Sequence, residues 1–281
     1  MMSRPNINGS SRHNARINRP TVAVHKFSSC DGCQLALLNL GESLLLISQL
    51  VDIKHFAEAG PLDEEAKVDI AIIEGSVSTS KDLARLQKIR DNSSYLITIG
   101  ACATSGGIQA LRNMASTQQW ISDIYANPKV IDSLDKSTAI KQHVKVDLEL
   151  WGCPISQRQI LMAIRALLFG VLPEEENEKV CMECKRQQTV CVMVTKNEPC
   201  MGPVTRTGCG ALCPHVGRDC YGCYGPAENT NTSALANRLQ GIGLLKQEVA
   251  RRFLFINSAA DDFQKQGENW LNTSAREDNA N

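Results

Sequence analysis

The chain has 281 residues, with 30 basic and 30 acidic side chains, so its formal net charge is zero. This balance gives no overall field that would favour nucleic acid or an anionic membrane, and an aromatic content of 5% disfavours a base-stacking surface. The apolar runs at 44–47 and 160–172 are too short to span a bilayer, so no membrane span is expected.

The first 20 residues are rich in arginine and contain no acidic side chain. They have no apolar segment of the kind found in a secretory signal, so we expect a disordered N-terminal tail at 1–20 and a cytoplasmic protein. In a reducing compartment, many cysteines indicate metal binding rather than disulfides.

Strand-like and helix-like segments alternate through the first part of the chain. Strands are predicted at 22–27, 51–57, 69–75, 95–100 and 146–152, and helices at 33–50, 80–90 and 156–169. This alternation predicts an α/β domain at 21–172, a flavodoxin-like parallel sheet with helices on both faces.

The second part of the chain is different in character. Residues 171–180 are polar and predict a linker, whereas 181–226 hold eight cysteines and few apolar runs. Helical periodicity returns at 233–255. We therefore expect a Cys-rich domain at 173–256, with little regular structure before its C-terminal helices and with metal holding it together, and a frayed polar tail at 257–281.

Four cysteines follow predicted strands, where ligands of parallel sheets bind. Cys30 and Cys33 follow the first strand, Cys102 the fourth and Cys153 the fifth. We expect these thiols to converge on one site, with Gly106 and the glycine after it allowing close backbone approach. A thioredoxin-like redox motif would leave Cys102 and Cys153 without a role.

The remaining eight cysteines form two runs of four. Each run supplies the four thiolates that a 4Fe–4S cluster needs, although four-cysteine zinc sites also use Cys-x-x-Cys pairs. We expect contiguous groups of four, with exchange of one cysteine between the groups left open. The runs are Cys181, Cys184, Cys191 and Cys200, followed by Cys209, Cys213, Cys220 and Cys223.

Three other titratable residues lie near these motifs. Glu74 ends the third strand, where a carboxylate either relays protons or serves as a helix-capping or ion-paired structural acid. We expect His25 to be a packed core residue and His215 to be a surface residue.

Several stretches together resemble the small, electron-transferring subunit of nickel–iron hydrogenases. They are CDGCQLALL at 30–38, EGSVST at 74–79, GACATSGGI at 100–108, and the Gly-Cys-Pro at 152–154. The stretch at 199–226 resembles the cytosolic, NAD(P)-linked bidirectional branch often called sulfhydrogenase delta subunit. The resemblance covers about residues 21–256.

The resemblance implies a relay of three 4Fe–4S clusters. Cys30, Cys33, Cys102 and Cys153 correspond to the ligands of a proximal cluster. The run that begins at Cys181 corresponds to a distal cluster, and the run that begins at Cys209 to a medial one. Some relatives have proline at one medial position and carry a three-iron cluster.

The resemblance also implies what partner subunits contain. A large subunit would hold the nickel–iron centre, and flavin and ferredoxin-like subunits would carry electrons to or from NAD(P). This chain has no G-x-G-x-x-G motif, so FAD and NAD(P) are expected only in partners.

Two departures from relatives limit the resemblance. Asp31 stands where exported hydrogenases commonly have threonine, so their behaviour toward oxygen does not carry over. The adjacent Cys-Cys pair of the quinone-side subunit of respiratory complex I is missing. The alternatives left open are a deazaflavin- or viologen-type hydrogenase subunit, a complex I-like subunit, and a zinc-stabilised interaction module.

Overall fold

A five-stranded, fully parallel sheet organises the first half of the molecule. The computed structural model describes residues 19–173 and 177–278, and the strand order is β2-β1-β3-β4-β5. Each interior strand is a nearly continuous apolar run, as expected where both faces are covered. The strands are β1 (Thr21–Lys26), β2 (Asp52–Phe56), β3 (Val68–Glu74), β4 (Ser93–Ile99) and β5 (Leu148–Leu150).

Twelve α-helices are present in the described part of the chain. They are α1 (Gly32–Leu38), α2 (Glu42–Leu50), α3 (Ser80–Asp91), α4 (Gly100–Ser105), α5 (Thr117–Ile124), α6 (Gln157–Leu168), α7 (Val180–Arg186), α8 (Val192–Lys196), α9 (Leu212–His215), α10 (Thr232–Gly241), α11 (Lys246–Phe253) and α12 (Asp261–Asp278). Short 3₁₀ helices lie at Gly107–Met114, Pro128–Val130 and Ile140–Gln142.

Helices cover both faces of the sheet, which confirms the predicted fold class. On one face, Leu37 of α1, Ile47 of α2 and Ile160 of α6 join a single buried cluster with β3 and β4. On the other face, Leu86 and Ile89 of α3 pack against these strands. α3 begins at a capping box in which Thr79 and Asp82 satisfy each other's backbone N–H groups.

The helix predicted at 33–50 is two helices, α1 and α2, which meet at 86°. Gly41, directly before α2, has a φ of 57°, which favours glycine, and the helix restarts at Glu42. In residues 19–173 and 177–278, no single helix has the length and apolar character to cross a bilayer. Taken together, the bent pair α1 and α2 is long and apolar enough by length and composition alone.

The Cys-rich half has its own buried cluster. Val180, Met201, Leu239 and Phe253 belong to it, and so does Trp151, which directly follows β5. The two halves therefore share a boundary core at Trp151. Regular structure in 181–226 is limited to the short helices α7, α8 and α9, as predicted.

The prediction of a frayed polar tail at 257–281 is wrong for most of that segment. α12 runs from Asp261 to Asp278, and its Phe263 is 1% exposed and packs edge-on against Phe253 at a ring distance of 5.8 Å. A few apolar residues among many polar ones suffice to anchor this helix on α11. The disordered tail predicted at 1–20 lies almost wholly outside the described residues, which begin at 19.

Candidate functional site

The first four cysteines lie together at the carboxyl edge of the sheet. Cys30 lies in the turn after β1, Cys33 in the first turn of α1, and Cys102 in α4 directly after β4. Cys153 follows β5 and precedes a cis proline. Because β1, β4 and β5 run in the same direction, the loops at their ends meet at one edge.

Glycines leave room for these sulfur atoms. A Cβ atom placed on Gly100 would lie 2.4 Å from the Cys33 Sγ, and one on Gly107 would lie 2.8 Å from the Cys102 Sγ. One on Gly32 would lie 3.3 Å from the Cys30 Sγ. At Gly100 and Gly107 the backbone thus approaches a sulfur more closely than a residue with a side chain allows, and at Gly32 the approach is tight. Such close backbone is the environment that a cluster with N–H···S contacts needs.

The thiols of this first group interact electrostatically. Burial raises the pKa of Cys33, and Cys102 and Cys153 raise it further. Burial raises the pKa of Cys102 to about 12, with contributions from Cys153 and Cys30. Burial and then Cys30 raise the pKa of Cys153. All four thiols therefore lie within coulombic reach of one another, directly or through one neighbour.

Glu74 is buried beneath this group, at the end of β3. Its Oε1 accepts from the Cys33 N–H at 3.0 Å and its Oε2 from the Gln34 N–H at 3.2 Å. Burial raises the pKa of this carboxyl, and the two N–H donors oppose the shift. These hydrogen bonds give Glu74 a helix-capping role, because they satisfy the free N–H groups at the start of α1. The proton-relay role stays a prediction.

The second group of cysteines lies around α7 and α8. Cys181 and Cys184 share α7, Cys191 precedes α8 and is exposed, and Cys200 is buried. A Cβ atom on Gly202 would lie 3.4 Å from the Cys200 Sγ and 3.6 Å from the Cys181 Sγ.

Electrostatic coupling joins this second group. Burial raises the pKa of Cys184 to about 11, followed by the effects of Cys181, Cys200 and Cys191. The contiguous run of four is therefore also a spatial group.

The third group of cysteines surrounds α9. Burial raises the pKa of Cys223 to about 12, and its thiol neighbours include Cys209 and Cys213. Cys220 is 5% exposed, and burial followed by other effects, including Cys200 and Cys223, raises its pKa.

The three groups are linked in a fixed order. Cys223 of the third group lies within coulombic reach of Cys153 of the first. Cys220 of the third group donates its backbone N–H to the Cys200 Sγ of the second at 3.3 Å. The third group thus has a link to each of the others.

Sequence reasoning missed two buried residues at these links. Tyr224 donates its hydroxyl to the Pro154 carbonyl at 3.2 Å, and its ring fills space beside Gly152 and Gly208. Glu183 accepts hydrogen bonds from the loop that carries Cys209. The only available signal was the position of each residue, within or directly beside a Cys-x-x-Cys pair.

The two histidines behave as predicted. His25 is 2% exposed and stacks on His55 at a ring distance of 4.7 Å, and His215 is exposed.

In the described residues, no group of three or more His, Cys, Asp or Glu side chains is arranged to hold a single metal ion.

Comparisons with known proteins agree with this architecture. A model of the family described as NADH ubiquinone oxidoreductase, 20 Kd subunit, matches residues 30–167. Sulfhydrogenase 2 subunit delta of Pyrococcus furiosus is 34% identical over 82% of this chain and 96% of its own length. A subunit of the vhu F420-non-reducing hydrogenase of Methanocaldococcus jannaschii is 28% identical over 84% of this chain and 93% of its own length.

A solved structure shares the fold. One chain of an NAD⁺-reducing NiFe hydrogenase in its H₂-reduced state superposes with a TM-score of 0.53 at 24% identity, covering 56% of this chain and 95% of that chain. The sheet with cysteines at its carboxyl edge is therefore the fold of nickel–iron hydrogenase small subunits.

The chain belongs to the hydrogenase small-subunit family that includes sulfhydrogenase subunit delta. It is thus a subunit of an oxidoreductase that acts on hydrogen.

Proposed function

We propose that this chain is the electron relay of its hydrogenase and binds three 4Fe–4S clusters through its twelve cysteines. The ligands are Cys30, Cys33, Cys102 and Cys153 for the proximal cluster, Cys209, Cys213, Cys220 and Cys223 for the medial cluster, and Cys181, Cys184, Cys191 and Cys200 for the distal cluster. When bound, such clusters take up and release single electrons.

The order of the cysteine groups is the observation that carries this proposal. The pair Cys153 and Cys223 links the first group to the third, and the pair Cys220 and Cys200 links the third to the second. A relay needs its intermediate carrier between its two ends. The segment assigned to the medial cluster is hydrogen-bonded to both others, through Tyr224 to the Pro154 carbonyl beside Cys153 and through Cys220 to Cys200.

The donor set supports iron–sulfur clusters at all three positions. Each group provides four thiols and no carboxylate or imidazole ligand is needed, which is the ligation of 4Fe–4S clusters. Buried cysteines such as Cys33 and Cys220 lie in apolar surroundings, and burial of this kind is one of the factors that set a cluster's reduction potential.

The expected partner subunits follow from membership of the hydrogenase small-subunit family. The large subunit holds a nickel–iron centre, where hydrogen is converted to two protons and two electrons. We propose that flavin and ferredoxin-like subunits exchange these electrons with NAD(P), because the structural match includes an NAD⁺-reducing enzyme. A second acceptor class stays in competition, because a relative that matches 84% of this chain belongs to an F420-non-reducing hydrogenase.

The acceptor and the location are open to direct measurement. Hydrogen-dependent reduction of NAD⁺ or NADP⁺ by the purified complex supports the first class of acceptor, and reduction of viologen dyes alone supports the second. The cytoplasmic location expected from the sequence is checked by cell fractionation.

The decisive test of the relay is a cysteine substitution in the intact complex. In the wild-type complex we expect about twelve irons in this chain, counted after separation of the subunits. Cys102→Ala should remove the proximal EPR signal and abolish hydrogen-dependent dye reduction while the sheet remains folded. Met114→Ala, which removes an exposed thioether from the following 3₁₀ helix, is the control and should change neither.

Three results would contradict the proposal. They are a wild-type chain free of iron, a colourless zinc protein, and undiminished hydrogen-dependent dye reduction in Cys102→Ala.

A further inference from the structure

A buried carboxylate lies at the junction of the second and third cysteine groups. Glu183 is in α7, between Cys181 and Cys184, and it is only 8% exposed. Removing a carboxylate from water is unfavourable unless other groups hydrogen-bond to it. The partners of Glu183 therefore decide why it is here.

All of these partners belong to the segment that carries Cys209. Glu183 Oε1 accepts from the N–H groups of Gly208 and Gly210, at 3.1 Å each. Its Oε2 accepts from the Ala211 N–H at 3.0 Å and lies 3.8 Å from the Cys209 Sγ. One side chain of the second group thus holds the loop of the third.

The backbone of this loop is arranged around the carboxylate. Gly208, Gly210 and Ala211 have φ values of 127°, 66° and 50°, in the region that favours glycine. Ala211 occupies this region although it has a side chain. Successive backbone N–H groups in such conformations form a concave site for an anion, and here the anion is the Glu183 carboxylate.

The carboxylate also lies beside ligands of both groups. Its Oε2 is 3.8 Å from the Cys209 Sγ, and Glu183 itself stands between Cys181 and Cys184 in α7. A negative charge at this position opposes an electron added at either cluster, because net local charge sets cluster potentials.

We propose that Glu183 is a positioning residue shared by the medial and distal clusters, here called the two outer clusters. Its carboxylate holds the Cys209 loop in place and lowers the reduction potentials of both clusters together. The proposal rests on the assignment of the twelve cysteines to three clusters made above. It predicts that the medial and distal potentials change in the same direction when one side chain is altered.

The test is an EPR redox titration of the purified complex, with dithionite as reductant, on the wild type, Glu183→Gln and Glu183→Asp. Glu178→Gln is the control, because it removes an exposed carboxylate that lies just before the same helix and pairs with Arg186. In Glu183→Gln, we expect the reduced-to-oxidised ratio of both outer clusters at a fixed potential to rise at least tenfold, which is 59 mV for one electron. The proximal cluster and the control should stay near wild type.

Iron counting covers the case in which Glu183→Gln loosens the loop. Loss of iron confined to the medial cluster, with recovery in Glu183→Asp, supports the positioning role. The proposal is overturned if Glu183→Gln keeps the full iron content and the reduction potentials of the medial and distal clusters do not both rise. It is also overturned if iron is lost from all three clusters alike or is not recovered in Glu183→Asp.

The proposed function can fail separately from this inference. Because dithionite replaces hydrogen as the reductant, a wild-type complex with three titrating clusters but no hydrogen-dependent reduction refutes the relay function alone. The common shift of the two outer potentials remains measurable in the same samples.

Discussion

Gly100→Ala tests whether the Cys33 sulfur is held where the proximal cluster needs it. The new Cβ atom would lie 2.4 Å from the Cys33 Sγ, whereas ordinary contact begins at 3.4 Å, so the sulfur must move by about 1.0 Å (3.4 − 2.4). Metal–ligand distances tolerate only about 0.2 Å. The φ of +84° at Gly100 adds strain of about 1 kcal/mol for any side chain.

A matched control separates the steric effect from backbone strain. Gly170 has a φ of +67°, and a Cβ atom there would meet nothing within 4 Å. Gly170→Ala should therefore lower the free energy of unfolding by about 1 kcal/mol and keep all its iron. Gly100→Ala should lose the proximal EPR signal and about four irons.

The outcome that refutes this reasoning is clear in the same assays, which are iron counting, EPR and chemical denaturation. If Gly100→Ala keeps the wild-type proximal signal, the Cys33 sulfur does not lie against Gly100 as a ligand. If Gly170→Ala loses as much iron, backbone strain and not the contact with Cys33 is the cause.

Three further predictions concern other parts of the molecule. Burial, followed by the effect of His55, lowers the pKa of His25 to about 3. The free energy of unfolding should therefore fall by about 1.4 kcal/mol for each pH unit below 6.5. His25→Leu should reduce this dependence, as measured by denaturation at pH 7.5 and 5.5. The sign follows because the folded pKa lies below the unfolded value. Cys213→Pro, at the second residue of α9, should convert the medial cluster to a three-iron form, and an unchanged EPR spectrum contradicts the grouping. Tyr224→Phe should cost about 1 kcal/mol of stability through loss of its bond to Pro154, with iron content unchanged, and an unaltered unfolding midpoint contradicts the bond.

Convergence of the first cysteine group was predictable because it follows from local patterns and one topological rule. Each strand is a short apolar run, and parallel strands place their carboxyl ends at one edge. Cys102 and Cys153 come directly after β4 and β5, and the sheet order puts those strands side by side. The positions of these cysteines after parallel strands therefore predict that their thiols converge, and no knowledge of side-chain packing is needed.

Other features were not predictable because distant segments decide them. α12 is largely polar, and only the packing of Phe263 against Phe253 shows that it is anchored. Glu183 had no signal apart from its position within a Cys-x-x-Cys pair, and its hydrogen-bond donors lie in a loop 25 to 28 residues away. Tertiary contacts of this kind leave no periodic signal in the sequence.

The two halves of the chain should differ in how much they depend on their clusters. The proximal ligands are attached to a sheet with a buried aliphatic cluster on each face, and one of these clusters includes the ligand Cys33. In the Cys-rich half, Cys200 and Cys220 are themselves part of the buried cluster, next to Met201. The helices that carry or flank its cysteines, α7, α8 and α9, have four to seven residues. Such short helices gain little stability on their own. Removal of iron should therefore unfold 181–226 while the sheet persists, because this segment has only short helices and two of its cluster ligands in its core, whereas the sheet has aliphatic strands on which a single ligand packs.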